Sequence, residues 1–442
     1  MTHSMRSQPT GAIFGIARMP GDAAMSVRTL FLGVLAEGET IISGLAETGQ
    51  VGGSIHVLRQ LGAELWGDDS GTWHVMGGRA FHEPERVLDC VAGGGGLRLL
   101  LGLLAGCPFS SFVQGGSSLQ GRSMAAVIGP LSAMGANIHS RSGGRLPLFV
   151  AGASPLMPLP AFSASIASAN VKAAVLLAAL RASGTTTYIE PFPTPDHMEN
   201  LLQHFGIPLS IRQQACGVEI RVSGGAPFFG QQVEIPGDPG FAAFPMVAAL
   251  IQPDSEVSLP GLLVNPCRMG LFETLVEMGA DIRMDNQRHM NGEAVADLMV
   301  RSSSLRGVSV PPERLGRMVD DLPALCIAAA LADGETVVSG IGSLSTFDVR
   351  RLEELVRVLG TCGVSADMSH DQMVVRGPVR GYVPRGGVRV PVGDDARLAM
   401  AVLVLGMACE DTVVVDEIAP IIRVFPGFFS IMNGLGASIH EH

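Results

Sequence analysis

Charge is scarce in this chain. Asp, Glu, Lys and Arg together make 16% of 442 residues, against 47% hydrophobic residues. That composition excludes extended disorder and suits a compact globular protein long enough for two domains with full cores. The charge that is present is acidic overall, −11 at pH 7. No basic stripe is offered to a phosphate backbone, which excludes nucleic acid as a partner. An anionic ligand therefore has to be gripped by a local cluster of arginines. Cysteine is sparse too. Cys90, Cys107, Cys216, Cys267, Cys326, Cys362 and Cys409 stand far apart, with no Cys-x-x-Cys pair. An odd, scattered set speaks against a disulfide framework or a thiolate metal site, and fits reduced thiols in a cytoplasmic protein. Long apolar runs are missing as well. Residues 97–105 and 399–409 are too short to span a bilayer and read as buried helices, so no membrane partner is expected. No targeting segment is evident at the N-terminus.

What the chain does have is a repeat. An apolar residue, Gly and a small or apolar residue recur as Leu61-Gly62-Ala63, Met134-Gly135-Ala136, Phe205-Gly206-Ile207, Met278-Gly279-Ala280, Leu359-Gly360-Thr361 and Leu435-Gly436-Ala437. The glycines are 73, 71, 73, 81 and 76 residues apart. One supersecondary unit used six times is the direct reading. In each unit an amphipathic helix ends at the glycine, where a left-handed backbone is needed, and a strand follows. A second helix, apolar on every side and therefore buried, is expected at 97–104, 171–180, 241–251, 322–331 and 397–406. A coarser symmetry overlies the first. Pro20-Gly21-Asp22 returns as Pro236-Gly237-Asp238, 216 residues on, each with Asp suited to cap a helix. The six units thus group as three plus three.

The phrases carry a resemblance. Pro20-Gly21-Asp22 with Ser26 and Arg28, Leu97-Arg98-Leu99-Leu100 after a glycine loop, Leu119 with Arg122 and Met124, Asp196-His197-Met198-Glu199, Asn265-Pro266-Cys267-Arg268, Val319-Asp320-Asp321-Leu322-Pro323, Arg351-Leu352, Asp395-Ala396-Arg397 and Phe425-Pro426-Gly427-Phe428-Phe429 stand in order along the whole length. In this the chain resembles the enolpyruvyl (carboxyvinyl) transferases, nearest the 5-enolpyruvylshikimate-3-phosphate (EPSP) synthase family. The resemblance implies an α/β (α+β) fold of two similar inverse α/β-barrel-like domains, each of three βαβαββ-type units. Domains at 19–238 and 239–442 are expected, with 1–18 joined to the second.

It also implies a reaction. The hydroxyl of a small-molecule acceptor attacks C2 of phosphoenolpyruvate while C3 gains a proton, and the intermediate expels phosphate. No metal or organic cofactor is implied, and a monomer is expected. Family positions that hold phosphoenolpyruvate fall on Arg122, Arg351, Arg397 and Arg423, with Asn170. Forked guanidinium groups suit its phosphate and carboxylate. Asp320 falls where a carboxylate takes the acceptor's proton, and Asp348 where one serves C3 as donor or relay. Acceptor positions fall on Ala23, Arg28, Ser168, Thr194, His197 and Phe347.

Several of these depart from the family pattern. Ala23-Ala24 stands for Lys-Ser, Phe347 for a lysine, Asp348 for a glutamate, and Ala396 for a histidine. Ser168-Ala169-Asn170 stands for Ser-Ser-Gln, Thr194-Pro195 for Ser-Arg, and Ala92-Gly93-Gly94-Gly95-Gly96 for Asn-x-Gly-Thr-Thr. A hydrogen bond to a charged group contributes about 1.5–3 kcal/mol, so losing several weakens an anionic acceptor by orders of magnitude. The reading is an enolpyruvyl transferase whose acceptor differs from shikimate-3-phosphate. Two alternatives stay open: an inactive homologue serving as a binding module, and the ordinary synthase with compensating residues. The branch acting on UDP-N-acetylglucosamine fits less well, because Gly115-Gly116-Ser117 lacks its cysteine. RNA 3′-terminal phosphate cyclase also fits poorly, because His440 and His442 lie at the extreme terminus.

Overall fold

The computed structural model describes residues 4–90, 93–215, 217–377 and 383–442, and the backbone alone for residues 117 and 118. Cys216 and Ala92, the first residue of the glycine loop, lie outside the described residues. The chain forms two compact units. One comprises Gly21–Pro236 with His289–Glu293; the other comprises Met1–Pro20, Gly237–Arg288 and Ala294–His442.

Each unit is built around three mutually packed helices. In the first these are Ala23–Leu35, Gly94–Ala105 and Ala169–Ala179; in the second, Pro239–Ile251, Leu322–Ala330 and Ala396–Gly406. Their sequences explain their place. From Leu97 to Leu104 every leucine is at most 1% exposed, on all sides of the helix. Burying each contributes up to about 1.5–3 kcal/mol. Close approach of two of these helices depends on Gly102, where a Cβ would lie 2.4 Å from the Ala174 carbonyl oxygen.

Three four-stranded sheets pack against each helix triplet; among the described residues four of the six sheets share the order first, second, fourth, third along the chain, whereas Gln232–Glu234 takes the first place in one and Met5–Ser7 the third place in another. In the first unit, Leu88–Cys90 runs parallel to Ser110–Gly115, which is antiparallel to Arg145–Ala151, itself antiparallel to Asn137–Arg141. In the second unit the N-terminal segment completes two sheets. Phe14–Ile16 lies parallel to Glu256–Leu263. Met5–Ser7 is inserted between Val413–Val415 and Ile439–Glu441. The two Pro-Gly-Asp turns make matching bonds: Asp22 N donates to Pro236 O (2.8 Å), and Asp238 N to Pro20 O (2.9 Å). Both aspartates cap the helices that follow, Asp22 on Met25 N and Asp238 on Gly240 N, each at 2.8 Å.

The glycine phrases close helices as expected at five of six places. Gly62, Gly135, Gly206, Gly279 and Gly436 have φ between 76° and 110°. At each, the next N–H bonds to the carbonyl five residues back, as Ala63 does to Leu58 at 3.0 Å. The fifth phrase departs from the pattern. Gly360 is helical, inside Thr346–Thr361, and Gly363 (φ 90°) takes the left-handed turn, with Val364 N bonded to Leu359 O at 2.9 Å. Only one glycine can serve, and the one 73 residues before Gly436 does so. Phe425 and Phe428, of the phrase at residues 425–429, prove to be core. Phe425 stacks on Phe241 at 4.6 Å, and Phe428 meets Phe244 edge-on at 6.1 Å.

Candidate active site

At the helix N-termini of the second unit, arginines and aspartates interlock. Asp395 caps the Ala396–Gly406 helix through Arg397 N (3.0 Å) and Leu398 N (3.1 Å). Its other oxygen accepts from Arg351 Nε at 2.7 Å. Arg351 Nη1 reaches Asp320 at 3.1 Å. Arg397 Nη1 donates to the Asp320 carbonyl oxygen (3.1 Å) and to Asp321 Oδ1 (3.2 Å). Arg268 bonds Asp238 Oδ1 at 3.2 Å. Asp320 is exposed. Arg397, helped by Arg351 and Arg268 and opposed by desolvation, holds its pKa down to about 2. Its buried neighbour Asp321 goes the other way, pushed up by burial against the pull of Arg397. The cluster thus offers two forked guanidinium groups beside an ionised, solvent-facing carboxylate. That is the equipment for holding an anion next to a base.

Phe347 adjoins this cluster, its ring 5.2 Å from the Arg351 guanidinium carbon. Asp348 sits in the first turn of the Thr346–Thr361 helix. Its carboxylate accepts from Ser345 Oγ at 2.5 Å while Ser345 caps the Asp348 N–H, a reciprocal capping arrangement. Arg423, exposed, is ion-paired with Asp394.

The first unit holds the other predicted residues. Arg28, buried at 2%, donates to Ala24 O (2.8 Å), Ala169 O (3.3 Å) and Asn170 Oδ1 (3.1 Å). Ser168 caps the helix that carries Asn170. Ala23 begins the first helix. A Cβ on Gly95 would lie 2.9 Å from Gln50 Nε2 and 3.2 Å from Asn170 Oδ1, so the glycine loop lets two amides approach the backbone. A Cβ on Gly94 would meet Arg98 Nη1 at 2.7 Å and Arg122 Nη1 at 3.6 Å. Burial, with Arg122 nearby, lowers the pKa of Arg98.

Thr194 and His197 are held by buried groups. Thr194 Oγ1 donates to Glu190 at 2.7 Å. His197, 1% exposed, bonds Glu293 through Nδ1 at 2.8 Å. Beneath them Lys172, 1% exposed, bridges Glu190 (3.1 Å) and Glu199 (2.7 Å) and reaches Thr194 O (3.4 Å). Burial pushes the Glu199 carboxyl up. Sequence reasoning missed Lys172, Glu190, Glu293 and Gln50, and gave Asp395 no role of its own. One signal was available: Lys172 is the sole lysine among 442 residues, set in an apolar helix.

With this geometry in hand, the chain can be set beside known proteins. The family model described as EPSP synthase (3-phosphoshikimate 1-carboxyvinyltransferase) matches residues 7–432. A protein of Parvibaculum lavamentivorans named 3-phosphoshikimate 1-carboxyvinyltransferase is 44% identical, over 98% of this chain and 96% of its own length. One of the same name from Paramagnetospirillum magneticum is also 44% identical, over 99% and 98%. Among solved structures, EPSP synthase from Acinetobacter baumannii superposes with a TM-score of 0.89 at 30% identity, covering all of both chains. The enolpyruvyl transferase NikO from Streptomyces tendae, 18% identical, shares the fold with a TM-score of 0.80, over all of this chain and 99% of its own. The two-unit α/β fold is that of the enolpyruvyl transferases.

Proposed function

The chain belongs to the EPSP synthase family of carboxyvinyltransferases, and on that footing we propose that its acceptor is a hydroxylated small molecule less anionic than shikimate-3-phosphate. One observation carries this reading. The family lysines are replaced by Ala23 and Phe347, and the chain's sole lysine, Lys172, is buried between Glu190 and Glu199. No ammonium group is left to replace them, so arginine is the only strong side-chain cation for the substrates.

Phosphoenolpyruvate is assigned to Arg351, Arg397 and Arg423. As the donor's negative charge engages Arg351 and Arg397, their hold on Asp320 weakens and its basicity rises. Asp320 then takes the acceptor's hydroxyl proton as oxygen bonds to C2. Asp348 gives and retrieves the proton at C3, and the C2–O bond to phosphate breaks. The products are the enol ether of the acceptor and inorganic phosphate. In the first unit Ala23, Arg28, Ser168 and Thr194 are assigned to the acceptor, whereas His197 is 1% exposed and bonded to Glu293. The reading carries a monomer in the cytoplasm, a setting that the described cysteines, all free thiols, support.

A second reading, ordinary transfer to shikimate-3-phosphate, is favoured by the names of relatives 42–44% identical. Two measurements decide. Calorimetry with phosphoenolpyruvate should give binding; its absence, alone and with acceptors, would sink the donor assignment. Phosphate release from phosphoenolpyruvate and shikimate-3-phosphate should be negligible. Release at ordinary enzyme rates establishes the second reading instead.

A further inference from the structure

The first unit also carries a cavity of about 560 Å³. Its lining includes Glu37, Arg79, Phe81, Arg181 and Phe228. It lies where the Ala23–Leu35 and Ala169–Ala179 helices end, with Val34, Leu35 and Leu180 in its wall. Those helices begin at Ala23 and Ala169. A helix of 13 residues at 1.5 Å per residue puts about 20 Å between the cavity and Ala23.

Arg181 is the unusual group here. It is half-buried, and its stem packs over Gly106, where a Cβ would sit 3.1 Å from Arg181 Cδ. Its guanidinium carbon stands 5.8 Å from the Phe81 ring centroid, and Nη1 donates to Cys107 Sγ at 3.4 Å. Among the described residues, no carboxylate lies within ion-pair distance of it. A half-buried guanidinium left without a counter-ion is a standing site for a carboxylate, because the fork has donors to spare and has already lost part of its hydration. Arg79, by contrast, is committed to Glu64.

The same cavity contains the complementary charge. Glu37 is exposed, and its carboxylate has no ion-pair or hydrogen-bond partner among the described residues. Beside it the first helix ends, where carbonyl groups favour a cation. Phe81 and Phe228 supply flat apolar faces. A simple anion would have to tolerate Glu37, and a simple cation would have to tolerate Arg181. A zwitterion with an aromatic body meets every group.

We propose that this cavity binds an α-amino acid with an aromatic side chain. Its carboxylate bonds Arg181, its ammonium faces Glu37 and the helix end, and its ring lies against Phe81 and Phe228. The proposal is independent of the acceptor's identity, and its test needs no phosphoenolpyruvate. The probe is L-phenylalanine, titrated into the full-length protein by calorimetry, with phenylacetate and phenethylamine as partial ligands. Saturable 1:1 binding of L-phenylalanine is expected, tighter than either partial ligand. Arg181→Met, which keeps the stem over Gly106, should weaken it about tenfold or more. Glu37→Gln, an exposed change that leaves the fold undisturbed, should weaken it less and abolish the advantage over phenylacetate. Absence of L-phenylalanine binding at millimolar concentration, or equal affinity in the wild type and Arg181→Met, overturns the site. Phenylacetate binding as tightly as L-phenylalanine overturns the assignment of a zwitterion.

Discussion

Phe347 sets its ring against the guanidinium of Arg351, 5.2 Å from centroid to carbon, with nearly half of its surface open to solvent. A cation–π contact at such an exposed place contributes about 0.5–1 kcal/mol. Its larger effect is chemical. The position flanks the arginine assigned to phosphoenolpyruvate, and it offers an apolar face in place of a second cation.

Restoring the two missing ammonium groups should therefore change the acceptor preference. In Ala23→Lys/Phe347→Lys, affinity for shikimate-3-phosphate should rise by about tenfold or more, the equivalent of one or two charged hydrogen bonds. Calorimetry reads the affinity, and phosphate release reads any turnover regained. An unchanged affinity would mean that these two positions do not face the acceptor.

Asp320→Asn separates binding from proton transfer. It removes the negative charge that Arg351 bonds and Arg397 attracts, so affinity for phosphoenolpyruvate should hold or tighten. Transfer to the true acceptor should fall about a hundredfold or more, as expected for loss of a general base. The variant has a pH signature as well. The native pKa of about 2 lies below the ordinary 3.8, so the ionised form is favoured by folding. That contribution is complete above pH 3.8 and disappears as the pH falls towards 2. Urea unfolding between pH 5 and pH 2, at about half-unit steps, should show a shallower acid loss in Asp320→Asn than in the wild type.

Lys172→Met should be among the most damaging single changes. It leaves Glu190 and Glu199 buried without their shared cation, and breaking a buried pair in this way costs about 3–5 kcal/mol. Adding Glu199→Gln should return part of the loss, since burial already pushes that carboxyl up. Denaturant midpoints measure both. In the native wild type, an amine-selective reagent should label no lysine, because the sole one is 1% exposed.

Two neighbouring glycines should respond oppositely to alanine. Gly360 is helical with open space around it, so Gly360→Ala should stabilise by up to about 1 kcal/mol. Gly363 has φ 90°, so Gly363→Ala should destabilise by about 1 kcal/mol or more. Thermal unfolding of the pair checks which glycine ends the helix.

Much of the architecture could be read from the chain because its signals are local. A left-handed residue after a helix demands glycine, and a helix apolar on every side has to be buried, so the glycine phrases and the 97–104 and 397–406 stretches announced themselves. The fifth phrase misled because Leu359-Gly360 and Cys362-Gly363 both satisfy the local rule, and the turn was decided by which one met the strand beyond. The candidate site was legible as residue types. Arg351, Arg397 and Asp320 stand together as those types suggest. Asp395 stood in a recognised phrase, but its bond to Arg351, 44 residues away, carried no mark.

The sequence alone determined six repeated units, two groups of three, a chain poor in lysine, and the set of arginines available for an anion. Tertiary structure decided how those charges are spent. Whether a guanidinium is bound to a carboxylate, stacked on a ring or left without a counter-ion depends on groups tens or hundreds of residues away. Arg351 meets Asp395 and Phe347, Arg397 meets Asp321, Lys172 is enclosed by two glutamates, and Arg181 meets no carboxylate among the described residues. Electrostatic interactions act through space and depend on burial, so composition can count the charges but only the folded chain assigns their partners.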